Sequence, residues 1–339
     1  MREFSWTMPA EHAQRLHAIL DATSTRPADP DWAAFVAKVR DLAPERARAV
    51  IGYGSWYTEG LRKPSSFPDV YLVVDDDRRF HGNAFHAWWN RTLPPNVYFL
   101  WSEGEGRRSI LGKYNVISTR DLERETGPRL RDIYNAGRLT KFVWTGWARD
   151  EATRAWLIDR LAAAQCILAP AALALLPTRF SREEFSLELL ALSYRGEARL
   201  EGWERVRALY AAHAERYREL HRVLLDAFAE ATGLLEAEGC DAFRKRDSAE
   251  WRDLSRSTSR LLRRSRRRGY LRWPRIVLTE RNLVDLAASE AERKAGVRIR
   301  VTPALRRHPL LFGWREFLRV LRERNTGERI AKKPTSRAG

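Results

Sequence analysis

The sequence predicts an α/β or α+β sheet domain followed by a mainly helical region and a basic C-terminal stretch. Three observations predict it. Short apolar runs bounded by turn residues interleave with helical periodicity through residues 1 to 145. From Glu151 the apolar positions Ala155, Ile158, Leu161, Ala162 and Ile167 recur at helical intervals with little β-branched clustering. Beyond Gly233 the arginines crowd together, above all between Arg260 and Arg268.

Taken in order, residues 10 to 22 set Ala10, Ala13, Leu16, Ile19 and Leu20 at helical spacing against His12, Gln14 and Arg15, which predicts an N-terminal helix. Arg48 to Ser55 reads as a short buried strand running into a glycine-bounded turn. Asp69 to Val74 is a second strand, followed by the acidic run Asp75, Asp76 and Asp77. Val97 to Trp101 and Tyr114 to Ser118 are two more, separated by the loop Gly104-Glu105-Gly106. In the helical region Pro170 and Pro177 divide the pattern, and a long helix is expected from about Gly202 to Ala231, capped at Gly233. These readings divide the chain at 1–148, 149–232 and 233–331, with a polar, disordered tail at 332–339.

A chain of 339 residues with 44% hydrophobic content can bury a sizeable core. Its two cysteines, Cys166 and Cys240, match neither metal-ligand spacing nor a secreted disulfide framework, so a reducing compartment is expected. The longest uncharged apolar stretch, Ile167 to Pro177, is about half of the roughly 20 residues that span a bilayer. No membrane-crossing segment is expected. The N-terminus lacks the apolar core of a secretory signal, which points to cytoplasmic residence. Lys and Arg number 61 against 44 Asp and Glu, a net charge of +17. Such a field attracts polyanions, and the excess is mostly arginine, which grips phosphate bidentately; GC-rich coding inflates arginine as well.

Gly52-Tyr53-Gly54-Ser55 precedes Asp69, which heads an apolar strand fourteen positions after the serine. A small-residue turn lets backbone N–H groups approach a phosphate, and the serine hydroxyl adds a donor. A carboxylate on the next strand can hold magnesium bridging those phosphates. Plain hairpin chemistry accounts for the same turn.

The run Gly52 to Ser55, then Pro68 to Asp76, then Phe80 and His81 with Asn83 and His86, resembles the peripheral CDP-diacylglycerol synthases of the mitochondrial translocator assembly and maintenance family. The resemblance continues through Gly112 to Thr119, Ile133 to Lys141 and Leu192 to Arg199, in family order across about residues 48 to 225. It implies an α+β fold: a polymerase-β-like nucleotidyltransferase sheet domain, then a helical domain and the basic C-terminal region. It also implies Mg-dependent transfer of a cytidylyl group from CTP to phosphatidate or a related lipid phosphate, giving CDP-diacylglycerol and pyrophosphate. Under that resemblance Gly54 and Ser55 cradle the triphosphate and Asp69 is the metal ligand and a catalytic residue. Lys113 is catalytic and nucleotide-binding, with Arg138 and Lys141 as further phosphate contacts. His81, with Asn83 near it, makes a phosphate contact or a loop-ordering hydrogen bond. Tyr194, Arg195, Glu197 and Arg199 form a substrate pocket.

The chain departs from the family pattern at two points. Trp56 follows Ser55 where a glycine is usual, and the second acid expected two residues after Asp69 is Tyr71. Asp75 and Asp76 lie roughly 20 Å further along an extended strand, leaving Glu103 and Glu105 as candidates for the second acid. The basic stretch interleaves Arg263, Arg264, Arg266, Arg267 and Arg268 with Leu262, Tyr270 and Trp273. It suits an anionic membrane surface, a nucleic-acid backbone or a solvated helix face. Membrane docking is the expectation, at the inner face of the membrane and with no obligatory protein partner. A nucleotidyltransferase acting on RNA, or a non-catalytic nucleic-acid-binding protein, are the alternatives.

Overall fold

The computed structural model describes residues 6–25, 30–58, 61–62, 67–82, 84–93, 96–103, 109–197, 202–279 and 301–307, with positions 313, 318 and 319. The chain is α+β. Strand β1 (Ala47–Tyr53) pairs antiparallel with β2 (Asp69–Val74) from Tyr53↔Asp69 to Ala47↔Val74. β2 pairs in parallel with β4 (Ser109–Ser118), whose far edge takes β3 (Asn96–Glu103) antiparallel. β5 (Trp144–Ala148) closes the other edge, giving the order β3-β4-β2-β1-β5.

β2 is apolar without alternation because both its faces are covered. Val70, Leu72 and Val74 meet Phe35, Val36 and Val39 of α2 (Pro30–Arg40). Tyr71 and Val73 point to the other side, into a core shared with the helices. The parallel step from β2 to β4 passes through α3 (Asp77–His81), α4 (Ala84–Thr92) and β3. Asp76 starts α3 by accepting from the Arg78 N–H, so it is spent on a cap. Asp75 pairs with Arg48 and Arg149 and is likewise no neighbour of Asp69.

After α5 (Thr119–Glu125) and the single turn α6 (Ala136–Leu139), the chain enters α7 (Glu151–Leu175), capped by the Asp150 carboxylate accepting from Thr153 N–H at 2.7 Å. Pro170 lies inside α7 and does not divide it, contrary to the sequence expectation. Proline cannot donate to the carbonyl four residues back, that of Cys166. The Trp6 indole N–H donates to that oxygen instead, at 3.0 Å. α7 is long and apolar enough to cross a membrane by length and composition, although most of it is buried inside the protein. It packs with α1 (Ala10–Ser24), α8 (Arg182–Arg195) and α11 (Glu250–Thr279). One apolar core takes in Leu16, Ile51, Ile117, Leu168, Leu189, Leu224 and Leu261, joining sheet and helices.

The long helix expected near Gly202 to Ala231 is two, α9 (Trp203–Ala211) and α10 (Ala214–Thr232), the latter ending at Gly233 with φ +65°. The break falls at His213, a non-helical residue whose ring stands 5.2 Å from Phe142. A small sheet, β6 (Arg179–Ser181), β7 (Leu235–Glu238) and β8 (Ala242–Lys245), also lies within the helical half, where no strands were expected. α12 (Pro303–Arg307) follows α11. The loop at Gly104 to Gly106 and the tail at 332–339 lie outside the described residues.

Candidate active site

Where β1 ends and β2 begins, strand register sets four side chains in one row: Tyr53, Asp69, Lys113 and Phe99, on adjacent strands. Side chains alternate along a strand, so Tyr71 and Asn115, two residues on, share their face. Gly54 turns the chain away from β1 with φ +89°, a conformation that favours glycine. A Cβ built on it would stand 3.6 Å from Asp69 Oδ2, so the turn lies directly over the carboxylate. Ser55 opens the 3-10 turn Ser55–Tyr57; its side chain is outside the described set. Trp56, the departure from the family pattern, lies under the Arg62 guanidinium at 3.6 Å.

Asp69 is half-buried and makes no hydrogen bond or ion pair with another described residue. Lys113 donates its backbone N–H to the Pro68 carbonyl at 2.8 Å, and its ammonium lies between Phe67 and Phe99, 5.4 and 5.7 Å from their rings. Tyr53 of the row packs on Tyr71 at 4.8 Å. Asn115 Nδ2 donates to the Tyr53 hydroxyl, while the Tyr71 hydroxyl donates to Asn135 Oδ1 at 3.0 Å. Burial, with the nearby Asp69 charge, pushes the Tyr53 phenol well above its ordinary pKa, so it stays neutral. Tyr71, in the position expected for a second acid, is a buried neutral phenol for the same first reason.

Opposite stands the helical wall. Arg138 of α6 holds Glu197 through two hydrogen bonds, 2.7 and 3.2 Å, and stacks on the Tyr134 ring at 3.5 Å. Burial alone would lower its pKa, but Glu197 and the hydroxyls of Tyr134, Tyr71 and Tyr53 hold it above the ordinary value. Arg138 and Glu197, both expected at the site, thus meet each other there. Lys141 donates to Ser193 Oγ at 2.8 Å and lies 4.3 Å from the Tyr194 ring. Arg195 turns away to Glu188 at 2.7 Å, and Arg199 lies outside the described residues.

The structure does not bring His81 to Asp69. His81 shares a 2.9 Å hydrogen bond with Tyr98, which packs with Phe80 and Tyr114 on the α2 side of the sheet. Asn83 lies outside the described residues, as does Glu105. Glu103 ends β3 four residues past Phe99, roughly 13 Å along the strand, and its side chain is outside the described set. Sequence reasoning passed over Tyr53, Asn115 and Asn135. Strand alternation carried the signal for Asn115, two positions after Lys113.

The five basic residues expected at a membrane divide in the structure. Arg268 turns inward to bind Asp132 and the Thr92 carbonyl, while Arg264 donates to the Leu130 carbonyl from an exposed position. Arg266 reaches the Arg195 carbonyl from an exposed position. Arg263 and Arg267 are exposed and continue the outward stripe of Arg252, Arg256 and Arg260. A depression on that stripe is lined by Asp253, Arg256, Arg260 and Arg263, away from the Asp69 row.

A mixed sheet whose first hairpin carries a glycine turn over a strand-opening aspartate is the frame of a nucleotidyltransferase. The comparison with family models agrees: the family described as phosphatidate cytidylyltransferase, mitochondrial, matches residues 47–293, starting at the first residue of β1. The chain belongs to that family and is a nucleotidyltransferase. No curated protein matches it.

Proposed function

We propose that the protein transfers a cytidylyl group from CTP to phosphatidate, releasing pyrophosphate and CDP-diacylglycerol. A phosphate oxygen of the lipid attacks the α-phosphorus of CTP in line. The bond to the β-phosphate breaks as the new P–O bond forms, and pyrophosphate leaves with the electron pair. No covalent enzyme intermediate is needed, so the protein's task is to position charge and neutralise it.

The observation that carries this reading is the half-buried Asp69 carboxylate, which has no hydrogen-bond or ion-pair partner among the described residues, beneath the Gly54 turn and in one row with Lys113. A half-buried carboxylate with no cationic partner among the described residues is open to a cation. Magnesium suits it, since that ion takes one or two carboxylates and completes its shell with phosphate oxygens and water. Among the described residues no three His, Cys, Asp or Glu side chains cluster; Asp69 would share the ion with the nucleotide. When bound, the ion neutralises charge on the phosphate oxygens during transfer. Backbone N–H groups after Gly54, with the Ser55 hydroxyl, receive the triphosphate, and Lys113 offsets its charge. Tyr53, held by Asn115, fixes the floor under Asp69. Lys141 and Tyr194 supply the cation and ring on the acceptor side.

The acceptor is a bilayer lipid, so the protein works at the cytoplasmic face of a membrane as a peripheral enzyme, with the outward arginines of α11 toward anionic head groups. The test is transfer of label from CTP marked at the α-phosphate, in parallel with ATP and GTP, to phosphatidate vesicles or to RNA, resolved by thin-layer chromatography. Magnesium-dependent label in a CDP-diacylglycerol spot supports the reading. Label on RNA, or none on lipid, sinks it.

A further inference from the structure

An ordinary surface helix turns its apolar side to the core and its polar side to water. α4 does the reverse. Asn90 is completely buried, donating to Asp77 Oδ2 at 2.8 Å and to the Val116 carbonyl at 3.2 Å, with Ala87 buried beside it. Phe85 and Trp88, one turn apart on the outward side, are 53% and 59% exposed. Their rings lie 6.0 Å apart, and Trp89 stands 5.1 Å from Phe85, so the aromatics form one cluster. A contiguous exposed apolar cluster on a folded chain marks an interaction surface.

The surroundings say what kind of surface. α4 contains no acidic residue and has Arg91 in its last turn. Its end is tied to the basic helix by Arg268, which donates to the Thr92 carbonyl, and to the segment after α5 by Arg131, which donates to the Arg91 carbonyl at 3.0 Å. Trp88 is one turn back from Thr92, whose hydroxyl donates to the Trp88 carbonyl at 2.9 Å. On α11 the residue before Arg268 is the exposed Arg267, and one turn later comes Leu271, 59% exposed. Exposed aromatics of α4 and exposed arginines of α11 thus lie on two helices that Arg268 bonds together. Tryptophan and phenylalanine partition to the water–bilayer boundary, and arginine holds anionic head groups there.

We propose that Phe85 and Trp88 of α4 are the apolar anchor that seats this protein in the surface of an anionic phospholipid bilayer. The anchor rests on the reading of the acceptor as a bilayer lipid and adds to it a contact that salt does not screen. Attraction through arginines alone fades as the screening length falls from about 10 Å at 0.1 M salt to about 3 Å at 1 M. Rings inserted at the boundary resist that change.

The experiment is vesicle flotation of the wild type, Phe85→Ser/Trp88→Ser and Arg263→Glu/Arg267→Glu. The vesicles are phosphatidylcholine with or without phosphatidate, at both salt concentrations. Turnover on a short-chain, monomeric phosphatidate is measured alongside. The wild type should keep a salt-resistant fraction on phosphatidate vesicles. The double serine variant should bind about tenfold more weakly at low salt and be released at high salt, since interfacial affinity scales with buried apolar area. Its turnover on the soluble lipid and its melting temperature should match wild type, because both positions are exposed. The arginine variant should lose mainly the low-salt component. Wild-type release at high salt overturns the anchor, and so does a serine variant that floats like wild type. If wild type fails to use soluble phosphatidate, the proposed reaction falls, while flotation still judges α4.

Discussion

Arg138 and Glu197, 59 residues apart in sequence, close a bidentate ion pair of 2.7 and 3.2 Å in which the two side chains are only 12% and 9% exposed. The pair pins α6 to the end of α8 across the site, and Tyr134 lies flat on the same guanidinium. Removing one partner leaves a buried charge unpaired, which costs about 3–5 kcal/mol. Arg138→Ala and Glu197→Ala should each lower stability by about that much in urea unfolding. The double variant should lose far less than the sum, as coupled neighbours do. Additive losses would show that the two residues act separately.

Asp69→Asn keeps the shape of the side chain and removes its charge. Transfer should fall at least about a hundredfold, consistent with losing one main electrostatic element of a site. The melting temperature should stay within a degree or two, or rise, because Asp69 makes no bond to a described residue that folding could lose. Turnover near wild type at saturating magnesium would remove Asp69 from the chemistry.

Gly54→Ala separates the turn from the carboxylate. At φ +89° an alanine is strained by on the order of 1 kcal/mol or more. Nearby atoms do not obstruct the new methyl, since Asp69 Oδ2 would stand at an ordinary 3.6 Å. The expected result is weaker CTP binding by calorimetry with a modest loss of stability. Unchanged CTP affinity would place the triphosphate elsewhere.

What the sequence made legible is what neighbouring residues decide. The strand at Asp69–Val74, the helix after Glu151 and the stop at Gly233 follow from local pattern and turn chemistry. Distant contacts decided the rest. Pro170 passes for a break until Trp6, 160 residues away, is found on the carbonyl it leaves open. The interruption at His213 has no glycine or proline to announce it, and its ring packs on the distant Phe142. The three-residue strand β6 is too short to show a period. Within the site, Gly54 and Asp69 stand where their motif puts them. That Arg138 and Glu197 meet is not legible, because nothing local in the sequence joins positions 59 residues apart.

His221 offers a pH test. It is fully buried, its Nδ1 shares a 2.8 Å hydrogen bond with Ser186, and burial lowers its pKa from 6.5 to about 3. The folded state therefore binds fewer protons than the unfolded state between those values. Stability should be fully present above about pH 6.5 and fall as pH drops toward 3, by up to about 1.4 kcal/mol per pH unit from this group. Replacing His221 with Gln, which does not titrate, should flatten that part of the stability profile. A slope unchanged by the substitution would assign the acid sensitivity to other groups.

The arginines of α11 should divide by direction, because their partners do. Arg268 and Arg272 both bind Asp132, which is completely buried, while Arg263 and Arg267 are exposed. Arg268→Ala strips one cation from a buried carboxylate and should cost about 2–3 kcal/mol, the upper range for a hydrogen bond to a charged group. Arg272 remains to share the charge, which keeps the loss below that of a fully orphaned ion. Arg263→Glu/Arg267→Glu should leave the melting temperature unchanged, since surface charges contribute little to folding. If anionic vesicles bind this face, each basic side chain contributes on the order of 1 kcal/mol, and reversing two should reduce low-salt binding by well over tenfold. Thermal unfolding and vesicle flotation then give opposite rankings for the two variants. Equal stability losses would mean the outward arginines are structural after all, and equal binding at low salt would remove them from the docking surface.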